Sequence, residues 1–471
     1  MKIDGSKGEG GGQILRNAIS YACILRKKLL QQKSQDIAKG DGDHHHNNGT
    51  VEISSIRAKR SKPGLKAQHL TGLRLAVEIC GGELQGDELS STQILYYPPE
   101  NTLASSSSSI PHAQNEERQR IVEGDIGTAG SICLLLQTAL PCALFGTNAN
   151  STTTLNLIGG TNADLAPQID YTMHVLMPTL WNHFSIPTSV RLHVQTRGFY
   201  PLGGGKVIVP DIPSLCGQVL TPITLTERGT VCDVYIRTFH AGKVPKWVAQ
   251  TMADKAVQLL FKLKSGTNKN DSNTNLDSRK HDIGCSDKLS FRNVDAVEDE
   301  LNQIVPKIEV VSESNAHGNG SGILIIAKTT TNCIFGASSL GKQPPRRPRH
   351  KKLKMNEISS KQQIKITAAK AVNELKYFLD CGGCLDDWLQ DQIILFMALA
   401  DGKSEIITGG LTLHTRTAIS VAQQMTGASF KVEKMKDMSY EAGQISSSGY
   451  GQEGYISGIH RITCQGISWG K

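Results

Sequence analysis

The stretch Ile406-Ile407-Thr408-Gly409-Gly410-Leu411-Thr412-Leu413-His414-Thr415-Arg416-Thr417-Ala418-Ile419-Ser420 sets a strand, a glycine turn and a helix end to end. β-Favouring residues lead into Gly409-Gly410, and helix-like apolar spacing takes over from Ala418. The tail of the stretch, Arg416-Thr417-Ala418-Ile419-Ser420, echoes Arg16-Asn17-Ala18-Ile19-Ser20, which also opens a helix after a glycine-rich turn. A fold built from copies of one strand-helix unit leaves such echoes behind.

Outward from this stretch, segments of two kinds alternate. Val51-Glu52-Ile53-Ser54-Ser55-Ile56 and Val207-Ile208-Val209 read as strands, and Leu70 to Ile79, Ile132 to Leu140 and Ala418 to Met425 as helices. The alternation predicts an α/β architecture with helices packed on sheets. Four polar stretches without a periodic apolar face, residues 33–50, 104–120, 265–300 and 341–361, read as disordered, low-complexity insertions. The first holds His44-His45-His46, read as a solvated loop, with adventitious metal binding as the competing reading.

A chain of 471 residues has room for two or three domains. It contains no apolar run of membrane-spanning length, and its first residues lack a signal-peptide core, so an intracellular protein is expected. The 11 cysteines are scattered through apolar stretches such as Ser131-Ile132-Cys133-Leu134, the pattern of reduced, buried thiols. Cys381-Gly382-Gly383-Cys384 has metal-like or redox-like spacing but lacks the second pair of a four-cysteine zinc site. The net charge of +8 suits an anionic partner, yet much of it lies in Arg346-Arg347-Pro348-Arg349-His350-Lys351-Lys352-Leu353-Lys354. That run reads as a solvated insert, with nuclear import and sequence-independent phosphate contact as alternatives.

Three segments can carry chemistry. In Asp4-Gly5-Ser6-Lys7-Gly8-Glu9-Gly10-Gly11-Gly12-Gln13-Ile14-Leu15-Arg16, glycines ahead of a helix let backbone N–H groups approach an oxyanion. Glu9 is placed to hold a divalent cation and Arg16 to meet a phosphate; a tight turn of no chemical consequence is the alternative. Arg57-Ala58-Lys59-Arg60-Ser61-Lys62-Pro63-Gly64-Leu65-Lys66-Ala67-Gln68-His69 fixes cations on a turn, either as a phosphate clamp or as a solvated loop. His414 lies after a glycine turn and ahead of a helix, where the positive helix end favours a neutral imidazole and attracts phosphate. Thr415 or Thr417 is expected to cap that helix. The competing reading of His414 is a structural histidine.

Two further motifs resemble nucleotide sites and fail in detail. Gly336-Ala337-Ser338-Ser339-Leu340-Gly341-Lys342-Gln343 lacks the hydroxyl that a P-loop places on magnesium. Lys2-Ile3-Asp4-Gly5 matches the signature around the adenylated lysine of polynucleotide ligases, but no later ligase motif follows it.

Taken together, the chain resembles the RNA 3'-terminal phosphate cyclase family. The matching stretches are Asp4 to Arg16, Ile56 to Leu73, Ala129 to Pro141, Gly159 to Tyr171, Arg197 to Gly205, Leu389-Gln390-Asp391-Gln392 and Leu411-Thr412-Leu413-His414-Thr415. The resemblance implies a large domain of repeated strand-helix units, like the C-terminal domain of translation initiation factor 3, over residues 1–212 and 340–471. A smaller α/β domain is expected as an insert over 213–339.

It also implies ATP-dependent ligase chemistry. A histidine takes AMP from ATP, AMP passes to an RNA 3'-phosphate, and the ribose O2' closes a 2',3'-cyclic phosphate. Carried over by position, His414 matches the adenylated histidine, and Glu9 the acid that helps hold magnesium or manganese. Arg16 and Arg60 match phosphate-handling arginines, while Gln137, Pro167, Trp388, Asp391 and Gln392 fall where the family lines its ATP site. Trp388 departs from the family's usual tyrosine, keeping a ring to stack on adenine and losing the hydroxyl. The implied partner is an RNA bearing a 3'-terminal phosphate, with no membrane; the expected location is the nucleus, with the cytoplasm as alternative.

Two other classes share the fold. A non-catalytic relative acts in ribosome assembly and lacks the histidine, so His414 and Glu9 argue against it. Enolpyruvyl transferases share the repeated unit, but fold does not determine function.

Overall fold

A computed structural model describes residues 1–31, 49–99, 118–261, 294–341, 360–436 and 454–470. The first strand, Lys2–Asp4, pairs in parallel with Val51–Ser54. Parallel neighbours need a crossover between them, and the helix Gly12–Ile24 lies in that connection. The helix Ala67–Cys80 follows, and then strands Glu83–Gln85 and Ile94–Tyr97 close the sheet, the later strand lying inside against Val51–Ser54.

The same plan recurs twice. In the second unit Arg118–Asp125 pairs in parallel with Ser151–Gly159, which is antiparallel to Gly205–Pro213, itself antiparallel to His193–Gly198. In the third, Thr224–Leu225 is parallel to Lys403–Thr408, followed by antiparallel Ile459–Gln465 and Ser429–Lys436. Repetition is therefore a property of the topology. The five-residue echo is not its trace: Arg16 lies on the helix between the first and second strands of its unit, and Arg416 on the helix between the second and third strands of its own. What the two places share is local, a glycine-rich entry into a helix.

The helices cover the sheets. Ile132–Phe145 is buried along nearly its whole length, accommodates Pro141 inside it, and packs on both Gly12–Ile24 and Ala67–Cys80. The helices run beyond the apolar segments read from sequence; Leu413–Thr426 starts five residues before Ala418.

Between the first two strands of the third unit sits a smaller α/β layer. Its sheet runs Lys307–Glu313, Val231–Ala241, Gly320–Thr329, Ile334–Leu340. The helices Lys246–Leu260 and Ser360–Asp380 pack on it and on each other. Thus Thr224–Leu225 belongs to the third repeated unit, while the helix beyond residue 360 joins the inserted layer. The layer is tied to the second unit by Ala316–His317, which pairs with Arg197–Gly198. Beneath that pairing Arg197 makes a bidentate contact with buried Asp170 at 2.7 and 2.8 Å, and Arg237 approaches both Asp170 and Glu313. The P-loop look-alike lies mostly on the strand Ile334–Leu340, which presents no phosphate-cradling turn there.

Of the four stretches read as insertions, residues 33–48, 104–117, 265–293 and 342–359 lie outside the described residues, and with them the triple histidine and the basic run. Their edges are regular: residues 118–120 begin a strand, and residues 294–300 belong to the helix Val294–Asn302. Among the described residues, no helix is long and apolar enough to cross a membrane.

Candidate active site

The glycine turn near the start folds as its composition requires. Gly8 and Gly10 have φ of +55° and +58°, which side chains other than glycine rarely adopt. Gly11 has ordinary φ, but a Cβ there would stand 2.1 Å from Glu9 Oε2. The turn thereby folds the Glu9 side chain back over the start of the helix, where Gln13 N–H donates to Oε1 at 3.0 Å. Gly12 serves the same purpose for its neighbours, since a Cβ would meet both Arg16 Nη1 and His69 Nε2 at 2.8 Å.

The other half of the site comes from the third unit. Thr412 Oγ1 caps the helix Leu413–Thr426 by accepting from Thr415 N–H at 3.1 Å, so the cap is Thr412 and neither Thr415 nor Thr417. Extended backbone at Thr412 sets its hydroxyl over the first turn, a geometry unavailable to residues already inside the helix. The fully buried Gln390 braces this entry: its Oε1 accepts from Thr415 Oγ1 at 2.7 Å, and its Nε2 donates to Gly410 O at 3.3 Å. Thr417 joins the two halves, accepting from Glu9 N–H at 3.0 Å while donating to Leu413 O.

This assembly brings His414 Nδ1 to 3.8 Å from Glu9 Oε1. Arg60 Nη2 lies 3.0 Å from Glu9 O and 3.3 Å from Oε2. Arg16 donates to Gln13 Oε1 on the same helix face. Burial, with Arg16 and Arg60 adding to it, pushes His414 down to about 4 against the opposing pull of Glu9. Withdrawal from water thus favours the neutral imidazole at physiological pH.

Sequence reading missed His69 as part of this site. It is the third residue of its helix, and its Nδ1 accepts from Lys66 N–H at 3.2 Å, which places its proton on Nε2, beside Gly12 and Arg16. Burial, reinforced by Arg16, Arg57 and Lys66, holds it neutral at about 3. Its place at the end of the basic cluster was the available signal. Within that cluster Arg57 turns inward and donates to Lys62 O and Gly64 O, holding the loop, while Arg60 projects to Glu9. The cluster divides into a brace and a cation at the site.

Acidic groups form the adjoining wall. The turn Leu389–Gln392 carries Asp391, which withdrawal from solvent pushes up to about 7 against the pull of Arg16. Asp386 is fully buried and accepts from Tyr171 Oη at 2.6 Å and from the N–H groups of Gly336, Trp388 and Leu389. Burial raises it to about 6, and raises Asp387 and Glu374 to about 8. Trp388 is buried beside this wall, and Gln392 Nε2 donates to its carbonyl. Gln137 lies half-buried on Ile132–Phe145 and Pro167 is buried just before Ile169. Neither makes a hydrogen bond to Glu9 or His414 among the described residues.

The remaining candidates fall elsewhere. Lys2 is an exposed strand residue 3.3 Å from Glu52. Cys381 and Cys384 are both buried, but the first faces Tyr377 and the second Cys333.

A family profile described as RNA 3'-terminal phosphate cyclase matches residues 47–432. A Dictyostelium discoideum protein named "Probable RNA 3'-terminal phosphate cyclase" is 33% identical over all of this chain and 83% of its own length. Proteins named "RNA 3'-terminal phosphate cyclase" from Drosophila melanogaster and Pyrobaculum neutrophilum are 32% and 28% identical over 92% of this chain, covering 92% and 95% of their own lengths. The profile match and these relatives show that the chain belongs to the RNA 3'-terminal phosphate cyclase family of enzymes.

Proposed function

We propose that this enzyme converts an RNA 3'-terminal phosphate to a 2',3'-cyclic phosphate, consuming ATP through AMP carried on His414. The observation that supports it most is the neutral imidazole at a helix N-terminus, with Glu9, Arg16 and Arg60 around it. Nδ1 faces Glu9, so Nε2 is the attacking atom. Its lone pair bonds to the α-phosphorus as the bond to the pyrophosphate oxygen breaks and pyrophosphate departs. An oxygen of the RNA 3'-phosphate then attacks the same phosphorus, and the phosphorus–nitrogen bond breaks to restore the imidazole. Finally O2' attacks the activated 3'-phosphate, loses its proton and expels AMP. That last step requires a ribose.

Arg16 and Arg60 balance the charge that builds on phosphate oxygens. Glu9 offers a hard oxygen donor, and one or two carboxylates with substrate phosphates suit magnesium or manganese. Such an ion would supply Lewis-acid stabilisation of the departing pyrophosphate. Trp388 stacks on adenine, with Asp391, Gln392, Gln137 and Pro167 completing the nucleotide pocket.

Mass spectrometry of the protein after incubation with ATP and magnesium or manganese tests this reading. One AMP is expected on His414, and none on His414→Asn, which keeps polarity and loses the attacking nitrogen. AMP on Lys2, or undiminished labelling of His414→Asn, would refute it.

A further inference from the structure

At the far ends of the helices that carry Arg16 and His69, three cysteines from distant places in the chain meet. Cys23 lies in the last turn of Gly12–Ile24, Cys80 ends Ala67–Cys80, and Cys142 lies within Ile132–Phe145. Their sulfur atoms all lie within 4.8 Å of one another, and all three residues are buried. Three thiolates around one ion at a metal–sulfur distance of about 2.3 Å would stand about 4 Å apart, close to this spacing.

A buried cysteine by itself is a small hydrophobe. Two neighbours make this cluster different. Arg26 is 5% exposed, has no carboxylate partner among the described residues, and leaves its buried Nε without a hydrogen bond. A guanidinium does not lose its proton, and a buried cation without a counter-charge is costly. Negative charge on the thiol cluster would supply that counter-charge. Gly146 has an ordinary φ of −97°, so conformation does not call for glycine there. Space does, because a Cβ would stand 2.3 Å from Cys80 Sγ.

We propose that Cys23, Cys80 and Cys142 form a site for one soft, d10 cation, Zn²⁺ or Cu⁺, with Arg26 as its counter-ion. Soft thiolates select these ions over magnesium or manganese. The charges close in either case. Zn²⁺ displaces three thiol protons to give a centre of charge −1; Cu⁺ displaces two, with the third sulfur kept as a neutral thiol, and again leaves −1. Each matches one guanidinium. A cavity of about 370 Å³, lined in part by Ile24, Arg26, Phe145 and Cys216, lies next to the counter-ion Arg26. The site is remote from the nucleotide chemistry: Arg16 and Cys23 are separated by about 10 Å of helix. Its effect is to staple three helices whose opposite ends build the catalytic centre.

The test uses the full chain, purified under reductant, stripped with chelator and reloaded in separate arms with Zn²⁺ and with Cu⁺. One equivalent retained through desalting is expected in at least one arm, with a rise in apparent Tm. Cys80→Ser and Cys142→Ser should each lower retention at least tenfold, whereas Cys133→Ser and Cys464→Ser, at buried cysteines outside the cluster, should keep it. Because a serine in the core can unfold the chain, X-ray absorption at the metal edge of the loaded wild type gives a second readout. A shell of three sulfurs at about 2.3 Å, with at most one lighter fourth ligand on Zn²⁺, supports the site, and any shell with fewer sulfurs overturns it. Failure of both arms to load protein whose three thiols are reduced also overturns it, as does full retention by folded Cys80→Ser and Cys142→Ser.

Discussion

Gly11→Ala isolates the placement of Glu9 from the stability of the fold. The backbone at Gly11 has a negative φ, −136°, so no left-handed strain is introduced. The new methyl would stand 2.1 Å from Glu9 Oε2 and 2.8 Å from Oε1, whereas ordinary contact begins near 3.4 Å. The carboxylate must therefore retreat by more than about 1 Å, which a flexible side chain can do at the cost of its hydrogen bond from Gln13 N–H, about 1 kcal/mol. A misplacement of about 1 Å at a reacting centre costs on the order of 100-fold in rate, near 3 kcal/mol of barrier. The assay is single-turnover formation of labelled adenylate across a metal titration, with apparent Tm measured alongside. The expected result is a loss of about two orders of magnitude, partly recovered at high manganese, with Tm within a few degrees of wild type. Adenylation within twofold of wild type at low metal would show that Glu9 does not act through its position at the cation.

Three further outcomes are expected. Thr412→Ala removes the hydroxyl that caps the His414 helix and should cost about 1 kcal/mol of stability, together with a several-fold drop in adenylation; an unchanged rate would mean the cap does not position the nucleophile. Glu374 is buried and its carboxyl is raised from the usual 4.5 to about 8. Its stabilising contribution is therefore complete below pH 4.5 and is lost as pH rises through 8, by about 1.4 kcal/mol per unit between 5.5 and 7.5. Glu374→Gln should flatten the fall of apparent Tm over that window, and an identical slope in the variant would sink the assignment. Deleting residues 344–354 should leave cyclization of a short RNA nearly intact, flatten the salt dependence of RNA binding if the run contacts phosphates, and abolish nuclear accumulation of a fluorescent fusion if the run is an import signal. Unaltered nuclear accumulation would dispose of the import role.

The alternation of strands and helices was legible because period-2 and period-3.6 patterns are local properties. The repeated topology was not, since it depends on which strands pair. Arg16 and Arg416 look alike in sequence because both follow glycine-rich helix entries, yet they occupy different helices of their units. Glu9 and His414 could each be singled out from local chemistry and family resemblance. Their meeting could not, because it rests on a hydrogen bond between Glu9 and Thr417, 408 positions apart. The cap was misassigned within a threonine-rich run, where sequence does not reveal which residue keeps extended backbone. His69 escaped notice because its role depends on Gly12 having no Cβ. The three-cysteine cluster has no spacing signature, its members being brought together by the packing of three helices.

Burial and fixed charge divide the work of the site between residue types. His414 and His69 are held neutral at about 4 and about 3, so neither adds positive charge near neutrality. Arginine cannot be neutralised in this way, and positive charge at the site is left to Arg16, Arg60 and the cation that Glu9 would hold on the proposed mechanism. On the adjoining wall burial raises Asp387 and Glu374 to about 8, so both retain protons near pH 7 and do not add full negative charges. On the proposed mechanism a polyanionic substrate would thus meet fixed cations and a neutral nucleophile, while part of the acidic wall is silenced. The same burial serves both ends: a histidine deprived of water loses its proton, and a carboxyl deprived of water keeps one. Ionising that wall would weaken polyanion binding, so affinity for the nucleotide should fall between pH 7 and pH 9, while the intrinsic nucleophilicity of His414 should not change over that range. Pre-steady-state separation of binding from adenylate formation distinguishes the two, and a pH-dependent chemical step with constant affinity would contradict the division.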